Sequence, residues 1–265
     1  MHRTQEHETI DYYSYHSRLG GWNTDYKVVF SVGALITVIA ADSIRVSAVT
    51  ALFMLFLCVG IGKIPLLEYG RLLRIPASFI LLGAAAILIQ LGSGADSLLF
   101  LPFFGRKLFI TQGSLHLAGR VVLKAFAAVS AFYMLTLSTP MGEILSVFRK
   151  LRVPAAVLEL MHLIYRYIFI LSDINQKQKD AAKSRLGYCD LKTSSRTFGA
   201  ELANLLVLSL RRADLHYDAM EARGYEGNCL FWEEKRPLTA GQLVYGLTYI
   251  ALNIIVSVAA QSQRL

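Results

Sequence analysis

The sequence predicts an all-α, polytopic membrane protein with about five transmembrane helices and a cytoplasmic domain of long amphipathic helices. Three observations carry this. The 265 residues are 54% hydrophobic and only 17% charged, against roughly 25% charged in soluble domains. Mean hydropathy is +0.45. Apolar runs of near-spanning length recur, and more than half of the charged residues fall in one segment, 138–239. The net charge of +8 then fits basic cytoplasmic segments better than a nucleic-acid partner.

The elements follow in order. Residues 1–27 lack an apolar core long enough for a cleavable signal and read as a flexible N-terminal cytoplasmic tail. His2, His7 and His16 lie in it near Glu6, Glu8 and Asp11. No helix-spaced pair of histidines makes a metal site of them, so no metal ligand is assigned. Four spans are predicted between 28 and 137, at 28–41, 46–61, 75–91 and 115–137. The first two are shorter than the ~20 residues of a perpendicular span, so flanking residues or local thinning make up the difference. Pro76 is expected in the first turn of the third span, where a proline is tolerated. The segment 62–75 is expected as a loop, with 92–114 as the loop on the opposite side. A cytoplasmic domain at 138–240 precedes a fifth span at 243–260, within the C-terminal segment 241–265. Cys58, Cys189 and Cys229 form neither a disulfide framework nor a zinc spacing.

The polar segment shows helical periodicity twice. Val157, Leu160, Ile164, Ile168, Leu171 and Ile174 recur at spacings of three and four. Leu202, Leu206, Leu210, Ala213, Tyr217 and Met220 do the same. Such amphipathic helices lie on a membrane surface or in a partner's groove. Two arginines stand near their ends in similar surroundings, in Ser184-Arg185-Leu186-Gly187 and in Ala222-Arg223-Gly224. A small residue precedes each arginine. A glycine follows within two positions and is expected to take positive φ and end the helix. The guanidinium is then either an ordinary cation offsetting the helix dipole or a fork of donors presented to a carboxylate. Ser138-Thr139-Pro140 follows the fourth span and reads as a structural cap and break. Arg166, in Tyr165-Arg166-Tyr167, is placed to pair with Asp173 or Glu159 across two turns, or with lipid phosphate.

These motifs resemble the T component of energy-coupling factor (ECF) transporters, of the CbiQ, cobalt-transport type. The resemblance rests on Ser138-Thr139-Pro140 through Leu151-Arg152-Val153-Pro154, on Tyr165-Arg166-Tyr167-Ile168, and on the two arginine motifs, the second running on through Tyr225-Glu226-Gly227. It implies a non-catalytic subunit of an importer in a bacterial or archaeal cell membrane. Two cytoplasmic ATP-binding cassette subunits would bind and hydrolyse ATP, and this chain would bind no cofactor of its own. A separate membrane subunit would bind the substrate: cobalt first, with nickel or a vitamin as alternatives. The two arginine motifs would dock the coupling helices on the ATPases.

Other classes lack their residues. A channel or secondary carrier needs polar groups along its spans, and a membrane enzyme needs convergent titratable groups. Neither pattern is present in the predicted spans, and the mixed charge of 138–239 argues against nucleic acid.

Overall fold

The computed structural model describes residues 11–88, 90–91, 97–103, 106–225 and 236–262. Five long helices form one unit: α1 (Thr24–Ala41), α2 (Ile44–Phe56), α3 (Leu66–Leu88), α4 (Gln112–Thr136) and, far on in sequence, the C-terminal helix Ala240–Ser262. The second unit holds α5 (Met141–Lys150), α6 (Ala155–Ser184) and α7 (Leu191–Glu221). The C-terminal helix is α8. Among the described residues six helices are long and apolar enough to cross a membrane: α1, α2 with its continuation to Ile61, α3, α4, α6 and α8. The all-α, multi-pass class therefore holds, with α6 meeting the length and composition of a span as well. A small antiparallel sheet, order β1-β3-β2, occupies the connection between α3 and α4, with β1 at Gln90–Leu91, β2 at Ser97–Phe103 and β3 at Arg106–Thr111.

Helix α4 is the centre of the first unit and packs on α1, α2 and α3. Phe30, Met54, Leu57, Tyr69, Ala131, Met134 and Tyr249 form the core. Polar groups at membrane depth need partners because no water replaces them. Ser31 Oγ donates to the Ala131 carbonyl, and Thr50 shares a hydrogen bond with the Tyr249 hydroxyl at 3.2 Å. Lys27 is fully buried, and its Nζ donates to the Ser138 carbonyl at 2.8 Å. Ser138 Oγ in turn donates back to the Met134 carbonyl, which closes α4. At the α1–α2 turn Asp42 adopts φ 41 and meets Lys124 at 3.0 Å and Arg120 at 3.5 Å. The Lys124 hydrogen bond is the main reason its carboxyl titrates below the ordinary range.

Three expectations are corrected. The described part of the N-terminal tail is folded: residues 11–16 are helical, Arg18–Gly21 form a 3-10 turn, and Leu19 is wholly buried against the π-helical turn Leu57–Ile61. Its apolar residues are too few for a spanning run yet enough to cover a helix end. Helix α1 starts earlier than predicted, capped by Asn23, which accepts from the Tyr26 amide. The segment 62–75 is mostly helix, because α3 begins at Leu66 and an Arg71–Glu68 pair at 2.8 Å makes its charges compatible with a helical face.

Pro76 therefore lies inside α3, not in its first turn. A proline there supplies no N–H to the carbonyl four residues back, which is Leu72. The Tyr133 hydroxyl of α4 donates to that carbonyl at 2.9 Å, so a neighbouring helix fills the bond the proline removes. We predict that Tyr133→Phe lowers stability in lipid nanodiscs by about 1–2 kcal/mol, and by clearly less in a Pro76→Ala background. Thermal melts of the four proteins in the double-mutant cycle measure the difference, and equal losses in both backgrounds would contradict it.

Candidate docking site at two helix ends

Helices α6 and α7 are 30 and 31 residues long. They run antiparallel, as their contacts show. Near the connecting turn, Thr197 Oγ1 donates to the Gly187 carbonyl at 2.9 Å. Further along, the Tyr167 ring meets His216 edge to face at 5.7 Å. Past the end of α7, the Tyr225 hydroxyl donates to buried Glu159 at 2.6 Å. Arg185 thus sits at one extreme of the pair and Arg223 near the other, about 40 Å apart at 1.5 Å rise per residue.

Both helices end in the same hydrogen-bond pattern. After α6, Gly187 N–H donates to Ala182 O at 2.9 Å and Leu186 N–H to Lys183 O at 3.1 Å. After α7, Tyr225 N–H donates to Met220 O at 3.1 Å and Gly224 N–H to Glu221 O at 2.9 Å. This is the Schellman arrangement, with one left-handed residue just past the helix. The two arginines are equivalent in it, and Ser184 matches Ala222. The left-handed residue is Gly224 (φ 77) at one end and Leu186 (φ 58) at the other.

That corrects the expected role of Gly187, which does not take positive φ. The extra residue after Arg185 moves the glycine one place outward and leaves a leucine in a conformation that costs non-glycine residues about 1–2 kcal/mol. Gly187 answers a different demand. A Cβ there would lie 3.0 Å from Ala182 O and 3.1 Å from the Thr197 side chain.

Both guanidinium-bearing residues are exposed. Among the described residues, the ion pairs use other side chains. The expected Arg166 pair with Asp173 or Glu159 does not form: Lys177 takes Asp173 at 2.7 Å, and Glu159 accepts from Tyr225. Two residues of this region have contacts that the sequence does not reveal. Tyr225 ties the Arg223 end to the start of α6. Tyr188 braces the turn by donating to Glu201 at 2.6 Å, a bond that, ahead of burial, pushes its phenol above the ordinary range. The (i, i+13) spacing of Tyr188 and Glu201 carries no local signal.

The apolar stripes stay uncovered. Val157, Leu160, Ile164 and Ile168 on α6 and Leu202, Leu206, Leu210 and Tyr217 on α7 are all exposed. Fold and site together define a class: a multi-pass membrane protein with two matched, exposed cationic helix ends and exposed apolar helix faces. The chain belongs to the CbiQ cobalt transport protein family, whose model matches residues 16–233, and so to the T components of ECF transporters. It is 31% identical to the cobalt transport protein CbiQ of Rhodobacter capsulatus over 199 residues, 75% of each chain. It is 25% identical to CbiQ of Salmonella typhimurium over 167 residues, 63% of this chain and 74% of that one. A Methanocorpusculum labreanum protein described as a fused cobalt transport protein, CbiMQ, is 30% identical over 226 residues; these cover 85% of this chain but 38% of that protein.

The two ends differ in what they tolerate. Asparagine accepts the left-handed conformation, so Gly224→Asn keeps its cap whereas Gly187→Asn drives a side chain into Thr197 and Ala182. Hydrogen exchange at the last amides of each helix reads this: protection persists in Gly224→Asn and drops by about tenfold or more in Gly187→Asn, the effect of roughly 1.4 kcal/mol. Equal behaviour of the two variants would contradict the assignment.

Proposed function

We propose that this chain is the coupling subunit of an ECF-type importer for cobalt ions. It links two cytoplasmic ATP-binding cassette subunits to a separate membrane subunit that holds the substrate. The observation that carries this reading is the pair of exposed arginines in equivalent Schellman caps at opposite extremes of an antiparallel helix pair. Such a pair has approximate two-fold character and suits a partner assembly with two equivalent grooves. Each guanidinium offers a planar fork to a carboxylate or carbonyl-lined groove.

The chain itself is read as non-catalytic, binding neither ATP nor a cofactor. The polar unit faces the cytoplasm by the excess of Lys and Arg around it, with the N-terminus on the same side. The fused Methanocorpusculum relative supports a close membrane partner, since fusion joins parts that work side by side. Ser138-Thr139-Pro140 is read as structural, being the hinge where α4 closes and the polar unit begins. Cobalt is the substrate that the family description favours, and nickel is the second candidate.

Removing one partner of a buried charged contact costs about 2–5 kcal/mol, roughly 30-fold to several thousand-fold in affinity. Arg185→Ala and Arg223→Ala should each weaken binding of the ATP-binding subunits by such a factor without shifting the melting temperature of the chain. Lysine should restore only part of it. Radioactive cobalt(II) uptake by the reconstituted complex should fall in parallel, and wild-type assembly and uptake in the double variant would overturn the proposal. Orientation has its own check. Exposed Cys189 in a Cys229→Ser background should react with a membrane-impermeant maleimide in inside-out vesicles and not in right-side-out ones.

A further inference from the structure

Leu186 is unfavourable in two ways at once. Its backbone is left-handed (φ 58), where leucine is strained and glycine is not. Its side chain is 73% exposed. In the same turn Leu191, the first residue of α7, is 91% exposed. Glycine at 186 would relieve the strain and remove the exposed apolar surface together. The surroundings place the turn in water: Lys183, Arg185, Asp190, Lys192 and Arg196 around it are all exposed, and charges are expensive in hydrocarbon. A bilayer is thus a poor cover for these two leucines. The opposite helix end lacks the feature. The equivalent position is Gly224, and the next residue, Tyr225, turns its hydroxyl inward to Glu159.

We infer that Leu186, backed by Leu191, is an apolar key that fits a hydrophobic pocket on one ATP-binding subunit, so that the Arg185 end grips its subunit more tightly than the Arg223 end grips the other. This rests on the coupling role proposed above. The key is continuous with that contact, since the groove that takes the Arg185 guanidinium meets the next side chain as well. Cations outnumber carboxylates around the turn, with Lys183, Arg185, Lys192 and Arg196 against Asp180 and Asp190. The pocket is accordingly rimmed by acidic groups around an apolar centre, the usual anatomy of a specific interface. The two ends then differ in composition: the Arg185 contact carries an apolar, salt-resistant part beside its guanidinium, and the Arg223 contact rests on its guanidinium and is salt-sensitive.

The test uses the full chain in lipid nanodiscs and purified ATP-binding cassette subunits. Leu186→Gly and Leu186→Asn both suit a left-handed residue, so both should melt at or above the wild-type temperature. Both should bind the subunits about 10- to 100-fold more weakly, the effect of exposing a buried leucine. That loss should persist in about 0.5 M salt, whereas the loss in Arg223→Ala shrinks as charges are screened. Unchanged binding in Leu186→Gly, with binding abolished in Arg185→Ala/Arg223→Ala, overturns the key and leaves the coupling role standing. Unchanged binding in all of them overturns the coupling role as well. A fluorophore on Cys189, in a Cys229→Ser background, reports what covers the turn. A blue shift on adding subunits supports the inference, and a blue shift in the nanodisc alone assigns the turn to lipid and overturns it.

Discussion

Antiparallel pairing of α6 and α7 is the constraint on which the polar unit depends. Two helices of nearly equal length that lie antiparallel must put their C-termini at opposite extremes. Three contacts along the pair hold the arrangement: Thr197 on Gly187, Tyr167 on His216 and Tyr225 on Glu159. Each C-terminus leaves backbone carbonyls to be closed by the following residues, and both are closed in the same way. Two equivalent guanidinium-bearing ends about 40 Å apart are therefore a product of helix length and capping, with no loop needed to place them. The apolar stripes of both helices remain outside this pairing, available to a membrane or a partner.

The membrane unit solves a different problem, that of polar groups without water. Its answers are shared hydrogen bonds between helices. The proline that interrupts α3 leaves the Leu72 carbonyl to the Tyr133 hydroxyl. The buried Lys27 reaches the Ser138 carbonyl where α4 ends. These bonds tie α1, α3 and α4 together at the level where the chain leaves the first unit at Pro140.

The legible part of the fold was what depends on local composition. Apolar runs marked the five spans of the first unit, and spacings of three and four marked α6 and α7. What escaped depends on partners distant in sequence. The sequence assigns Lys27 to the tail outside the first span and gives it no role, since nothing in its neighbourhood announces an acceptor 111 residues away. Pro76 looked like a helix start because the residues before it carry charge, and the Glu68–Arg71 pair that reconciles them with a helix is a side-chain matter. The described part of the N-terminal segment folds through Leu19, Tyr13 and Trp22, scattered apolar residues with no periodic signal. At the candidate site the arginines and glycines were visible as letters. Leu186 as the left-handed residue was not, because the pattern suggested that a glycine would take that place and the extra residue after Arg185 puts a leucine there instead.

The proposed coupling role, with two equivalent ends on one chain, implies a stoichiometry, and native mass spectrometry of the chain and its ATP-binding subunits released from nanodiscs measures it most directly. One copy of this chain should appear with two ATP-binding subunits, falling to one such subunit when either arginine end is disabled. A wild-type complex holding a single ATP-binding subunit, or two subunits retained after both ends are disabled, would contradict it.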